Sequence, residues 1–161
     1  MDLALRDPFG ELKPGSEIGV SHWVEITQRM IDGFGEVTLD ADPMHIDPEW
    51  ARTKGPFGHT VAFGFLTMSL LTNLLHDAMR TDSAREPAEH GYYLNYGFDR
   101  LRLVAPVPVN ARVRGRFVLL ARERDEKNRF VSRVHATIEV EGSDRPALIA
   151  EWLTMWVPPG A

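Results

Sequence analysis

From residue 92 onward, apolar and polar positions alternate through four runs, Tyr92 to Leu103, Val109 to Arg122, Arg129 to Glu141 and Ala147 to Val157. Turn signals stand between them at Ala105-Pro106, Asp125 to Asn128 and Gly142 to Pro146. A period of two puts neighbouring side chains on opposite faces of an extended chain, so these runs predict antiparallel strands with one buried and one wet face. The clearest is Val131 to Val140, where Ser132, Val134, Ala136, Ile138 and Val140 share a face. Before them, the segment from Thr60 to about Met79 is apolar around most of its circumference (Val61, Ala62, Phe63, Phe65, Leu66, Met68, Leu70, Leu71, Leu74, Leu75). A helix without a polar face must be wrapped.

Nearer the N-terminus, Ser16 to Ile26 is rich in Val, Ile and Trp and predicts a strand, and Thr27 is placed to cap a short helix ending near Gly33 to Gly35. Asp40 to Gly58 carries Pro43, Pro48, Gly55, Pro56 and Gly58, which predicts loop with one helical turn after Pro48. So long an irregular stretch is a place to look for function. Thr81 to Glu89 is polar and predicts an exposed loop. Without a repeat or linker, residues 1–161 are expected to form a single α+β domain, an antiparallel sheet curled around one long buried helix, the geometry called a hot dog. Such a sheet leaves edges that a second copy would protect, so a homodimer is expected.

Composition narrows the function. The chain has 161 residues, 43% of them hydrophobic, enough for one core. Its 18 Lys and Arg against 23 Asp and Glu leave a net charge of −5, so no nucleic-acid partner is expected. The absence of cysteine excludes disulfides, thiolate metal sites, iron–sulfur clusters and a Cys nucleophile. The first residues lack a basic stretch followed by an apolar one, which predicts a cytoplasmic protein. The uncharged stretch Thr60 to Leu75 contains Thr67, Ser69, Thr72 and Asn73 and is shorter than the ~20 apolar residues that span a bilayer, so no membrane association is expected.

Ionisable groups crowd most densely at Asp40, Asp42, His45 and Asp47, between Pro43 and Pro48. No metal is expected there: a calcium loop would want Gly in place of His45 and Glu in place of Ala51, and one His among scattered Asp is not a zinc pattern. Two readings remain, turn formers or an Asp and a His converging on one water. A second candidate is Gly58 to Gly64, where the loop enters the apolar helix. First-turn N–H groups lack intrahelical acceptors and can hold an oxyanion, although Gly64 could equally relieve helix–sheet crowding. Third, Arg100 to Arg133 holds 10 of the 18 basic residues against three acids, with Arg112, Arg114 and Arg116 on one strand face. That face could meet a phosphate, or simply be the wet side of a sheet. His22, His76, His90 and His135 have no carboxylate partner visible in the sequence.

The run Thr38-Leu39-Asp40-Ala41-Asp42-Pro43-Met44-His45, with Ala51 six residues on, resembles the hydratase signature of MaoC-like, R-specific enoyl-CoA hydratases, in which four residues separate Asp from His. The stretches HIDPEWA, GPFGHTVAFGFLTMSLL and NYGFDRLRLVAPVPVNARVRG are similar to the nodulation-protein-N-like branch; together the matches span roughly residues 34 to 117. The resemblance implies a hot-dog homodimer that adds water to a trans-2-enoyl thioester of coenzyme A, giving an R-3-hydroxyacyl product without metal or redox cofactor. It implies that Asp40 activates the water attacking C3, that His45 holds this water and shares in protonating C2, and that the Gly64 N–H polarises the thioester carbonyl. Leu39 stands where the family usually has Gly, Asp42 where it has Asn, and Phe63 where it often has His. Phe57, Phe63 and Phe65 are expected to line an acyl groove, and Arg52 to meet the substrate. A hot-dog thioesterase and a non-catalytic acyl-CoA-binding or assembly subunit are the alternatives.

Overall fold

The alternation after residue 92 is realised as a strongly paired antiparallel sheet. The computed structural model describes residues 9–10, 12–81, 87–127 and 129–159, apart from the side chains of residues 87 and 88. In chain order its elements are β1 (Glu17–Val20), β2 (Val24–Glu25), α1 (Gln28–Thr38), α2 (Pro43–Ile46), α3 (Pro48–Thr53), α4 (Gly64–Ser69), α5 (Leu71–Met79), α6 (Pro87–His90), β3 (Tyr92–Leu103), β4 (Arg112–Arg124), β5 (Phe130–Val140) and β6 (Leu148–Val157). The strand order is β1-β4-β5-β6-β3, with β2 also paired to β4. Of the polar loop expected at 81–89, residues 82–86 lie outside the described residues, and Pro87–His90 is helical.

One face of the sheet is buried as its pattern requires: Val113, Phe117 and Leu119 on β4, Ser132, Val134, Ala136 and Ile138 on β5, and Leu148, Ala150 and Trp152 on β6. It closes on Leu66, Leu71, Leu74 and Leu75 of the helical rod. Each large side chain so buried stabilises the fold by roughly 1.5–3 kcal/mol. The rod lies close to β4 because Gly115 has no side chain: a Cβ there would come within 2.9 Å of the Leu74 Cβ. The helix expected from Thr60 begins only at Gly64, since Val61 is paired with Pro108 in an isolated bridge, and it is divided into α4 and α5 at Leu70, whose φ of −70° and ψ of −17° remain right-handed helical.

Other departures have local causes. The strand expected from Ser16 to Ile26 is two short strands; between them the Ser21 N–H still donates to the Gly115 carbonyl at 2.9 Å, but the Gly115 N–H is accepted at 2.9 Å by the buried Ser21 Oγ in place of a backbone carbonyl. Thr27 does cap α1, accepting from the Met30 N–H, but α1 runs on past Gly33 and Gly35 to Thr38. Gly35 is a point of close approach rather than a terminator, since a Cβ would lie 2.8 Å from the Asp40 carbonyl oxygen and 3.2 Å from the Phe63 ring. The helix ends instead at Leu39, in the left-handed region at φ 58°. The loop expected from Asp40 to Gly58 contains two short helices, α2 as well as α3.

Candidate active site

Two Asx caps build the irregular segment. Asp42 accepts the Met44 N–H at 2.9 Å with Pro43 following it, and Asp47 accepts the Trp50 N–H at 2.9 Å with Pro48 following. Both carboxylates are therefore used as turn formers. Asp40 and His45 remain. Asp40 follows the left-handed Leu39, is exposed, and accepts the Asp42 N–H at 3.2 Å.

His45 lies in the last turn of α2, half-buried, with Nδ1 2.7 Å from the Val61 carbonyl oxygen. A carbonyl can only accept, so Nδ1 carries the hydrogen and Nε2 is the ring atom left to take or give a proton. The Phe63 ring packs against the imidazole with centroids 4.0 Å apart, and Phe34 packs on Phe63 at 5.3 Å. The carbonyl of Val61 is itself held in place: the Ala62 N–H donates to the Val107 carbonyl at 2.8 Å, and the Val109 N–H to the Thr60 carbonyl at 3.0 Å.

His45 and Gly64 line the same cavity, of about 230 Å³, with Met44, Phe57, Val61, Thr67, Leu103 and Val104 among its walls. Gly64 opens α4, and its N-cap residue Phe63 supplies no side-chain acceptor to the first turn. The amides there remain available to an oxygen in the cavity. A Cβ on Gly64 would collide with Leu103 Cδ1, so the missing side chain keeps the wall open.

The structure places the other expected site residues separately. Asp40 lines an adjacent depression of about 500 Å³ with Asp32, Gly35, Glu36, Leu39, Ala41 and Ile46, the residue next to His45. Of the three phenylalanines, Phe57 lines the cavity, Phe63 is buried behind the imidazole, and Phe65 is 69% exposed outside the lining. The Arg52 guanidinium pairs with Glu49 at 2.7 Å, both side chains exposed. Sequence reasoning missed the walls from Leu103 to Val107 and Ala147, whose signal was an apolar Val-Ala-Pro-Val run at the end of a strand.

The arginine stripe is matched by carboxylates across the strands. Arg112 pairs with Glu141 at 3.0 Å, Arg114 with Glu139 at 2.6 Å, and Arg116 with Glu139 at 3.0 Å and with Glu17 at 2.6 Å. Burial pushes the Glu139 carboxyl up, and hydrogen bonds and charge from Arg114 and Arg116 outweigh it, leaving Glu139 below the ordinary value. This ladder is the wet face of a sheet with its charges paired, which weakens a phosphate reading of it. His22 does have a partner: its Nδ1 lies 3.0 Å from Asp77 on α5, 55 residues away in sequence. Among the described residues no three His, Asp or Glu side chains converge as metal ligands.

A curled antiparallel sheet closed on a central helix, with an imidazole and the helix's first amides sharing a cavity, defines a hot-dog fold of the dehydratase type. The R-hydratase PhaJ1 from Pseudomonas aeruginosa shares this fold with a TM-score of 0.72 at 21% identity, over 96% of this chain and 88% of that one. The MaoC like domain model matches residues 10–141, and the chain belongs to that family. It is 41% identical to Nodulation protein N of Rhizobium leguminosarum bv. viciae over 154 residues, 96% of this chain and 91% of the relative. To 3-hydroxyacyl-thioester dehydratase Z of Mycobacterium tuberculosis (strain ATCC 25618 / H37Rv) it is 38% identical over 143 residues, 89% of this chain and 90% of the relative.

Proposed function

We propose that this protein is a hydro-lyase that adds water to trans-2-enoyl thioesters of coenzyme A, giving R-3-hydroxyacyl thioesters, and runs the dehydration in reverse. The observation that carries the reading is the shared cavity of His45 and Gly64, beside a relative named a 3-hydroxyacyl-thioester dehydratase. In the reading, the thioester carbonyl lies at the Gly64 amide. Water attacks C3; as the C3–O bond forms, the C2=C3 electron pair moves toward the carbonyl oxygen, where the amide dipole stabilises the growing enolate charge. Asp40 accepts the proton that water loses; His45 Nε2, unprotonated in the Nδ1–H tautomer, holds the water and then relays that same proton on to C2, so both groups end as they began. Bonds and protons balance as the addition of one water, so the chemistry calls on neither an electron carrier nor a metal.

Asp40 is exposed in the single chain, and a second copy supplies the missing enclosure in this reading. β3 bonds to β6 along one side, while its twelve residues expose Tyr92, Leu94, Tyr96 and Phe98. A long edge with exposed aromatics is a pairing surface. We assign it to a homodimer. Phe57 belongs to the acyl pocket in this reading, which assigns the exposed Phe65 and Arg52 to contacts with the partner copy or the coenzyme.

Crotonyl-CoA tests the reaction. Hydration of the conjugated double bond abolishes the enoyl absorbance, thioesterase action releases free thiol, and binding alone does neither. Loss of enoyl absorbance without thiol release is the expected result; thiol release, or no turnover across a panel of acyl lengths, overturns it.

A further inference from the structure

The half-buried Gln28, in the first turn of α1, makes three side-chain hydrogen bonds that no part of the proposed chemistry uses directly. Its Nε2 donates to Asp32 Oδ1 at 2.8 Å and to the His45 carbonyl oxygen at 2.8 Å, while its Oε1 accepts from the hydroxyl of the buried Thr60 at 2.5 Å. The amide orientation is unambiguous, because reversing it would set the oxygen against two acceptors and remove the acceptor from the Thr60 hydroxyl.

These contacts reach both ends of the bond that fixes the imidazole. One end is the His45 backbone, held through its carbonyl. The other is Thr60, whose neighbour Val61 carries the oxygen that accepts from His45 Nδ1. We propose that Gln28 is a positioning residue of the active site, bridging α2 to the Thr60-Val61 segment so that the His45 ring keeps its Nδ1–H tautomer and presents Nε2 to the reacting water. This rests on the proposed hydratase reading for its kinetic consequence, and on geometry alone for its effect on the ring.

The bridge has the layout expected of an outer shell that orients a reactive imidazole. Asp32 anchors the amide with a carboxylate acceptor, and charge-assisted hydrogen bonds are the stronger kind. Without the bridge, the four-residue α2 is held by its Asp42 cap and by side-chain packing, and the 2.7 Å contact to Val61 is free to lengthen. A displacement of under an ångström at a proton-transfer group is enough to slow the chemical step while leaving thioester binding intact.

The test uses the full chain in four variants: Gln28→Ala, Gln28→Met, Thr60→Val and Thr60→Ser. For crotonyl-CoA hydration, Gln28→Ala and Gln28→Met are expected to lower kcat by about 10- to 10²-fold with KM within about 3-fold. Thr60→Val is expected to follow them, and Thr60→Ser, which restores the hydroxyl, to recover most of the loss. Nitrogen-15 spectra of the His45 ring at alkaline pH are expected to show protonated Nδ1 in the wild type and an averaged tautomer in Gln28→Ala. Should a Gln28 variant fail to fold, the Thr60 pair decides. Near wild-type kcat together with an unchanged His45 tautomer in the folded Gln28 variants, or equal activity in Thr60→Val and Thr60→Ser, overturns the proposal. A wild type that hydrates no enoyl thioester overturns the reaction instead, and the tautomer measurement then judges Gln28 by itself.

Discussion

The imidazole of His45 and the carbonyl of Val61, 16 residues apart in sequence, are joined by a 2.7 Å hydrogen bond from Nδ1. Phe63, two residues beyond Val61, packs its ring on the same imidazole. One short stretch before α4 therefore sets the tautomer of the histidine, covers its face, and opens the helix whose first amide belongs to Gly64. An error in the path of that stretch would move the ring and the amide together.

If Asp40 and His45 handle the protons, then Asp40→Asn and His45→Ala each lower hydration of crotonyl-CoA by at least about 10² with circular dichroism and Tm unchanged. Near wild-type turnover in either variant removes that residue from the mechanism.

Gly64→Ala separates crowding at the cavity from damage to the fold. The added Cβ would meet the far end of the Leu103 side chain, which is 47% exposed and can swing outward. Tm is expected to hold within about 2 °C, while hydration falls by about 10-fold or more as the thioester is shifted from the amide. Stability lost in step with activity would show that Gly64 serves packing instead.

Leu39 carries a side chain at φ 58° and is 91% exposed, so the left-handed backbone costs energy and the leucine packs on nothing within its own chain. Relief of left-handed strain is worth roughly 1–2 kcal/mol, and the extra freedom of glycine in the unfolded chain takes back part of it. Leu39→Gly is expected to raise Tm by about 2–3 °C in thermal unfolding. A lowered Tm would mean that the exposed leucine is buried by a second copy.

Asp77 is held below its ordinary value of 3.8, chiefly by the side-chain hydrogen bond with His22 and then by the His22 backbone N–H. A carboxyl lowered in the folded state contributes stability that is present above the unfolded value and is lost as pH falls through the folded one. Asp77→Asn keeps an acceptor and removes the charge. It should destabilise the protein by about 0.5–1 kcal/mol at neutral pH, small because solvent screens a partly exposed pair. Denaturant midpoints of variant and wild type should converge as the pH is lowered from above the unfolded value of 3.8 through the lower folded one.

Pairing through β3 is open to direct measurement. Tyr96 is 61% and Phe98 38% exposed on that strand, so Tyr96→Lys combined with Phe98→Glu should convert a dimer to monomer by light scattering. Loss of hydration with dissociation is the accompanying expectation. A dimer that survives both changes places the interface elsewhere.

How much of this was legible in the chain depends on the range of the forces involved. Strands β3 to β6, the cap at Thr27 and the wrapped rod were readable, because burial on one face imposes a period that side-chain polarity records locally. Gly35 misled for the same reason: its meaning lies in the Asp40 carbonyl and the Phe63 ring that press on it, and neither leaves a mark on its own neighbours. The Asp40 to Asp47 cluster was visible as a cluster, and its division into two caps and two remaining groups was not, since an aspartate before proline reads alike in either role.

By itself, the order of residues determined which faces must be buried, and hence a curled sheet around a helix, and it carried the spacing of Asp40 and His45 that marks the family. Tertiary structure alone decided which groups meet: His45 with Val61 and Gly64, Gln28 with Thr60, His22 with Asp77, and Arg112, Arg114 and Arg116 with the carboxylates of the neighbouring strands. Hydrophobic burial is a property of each side chain and leaves its pattern along the chain, whereas a hydrogen bond or an ion pair belongs to two groups that are brought within 3 Å by everything folded between them.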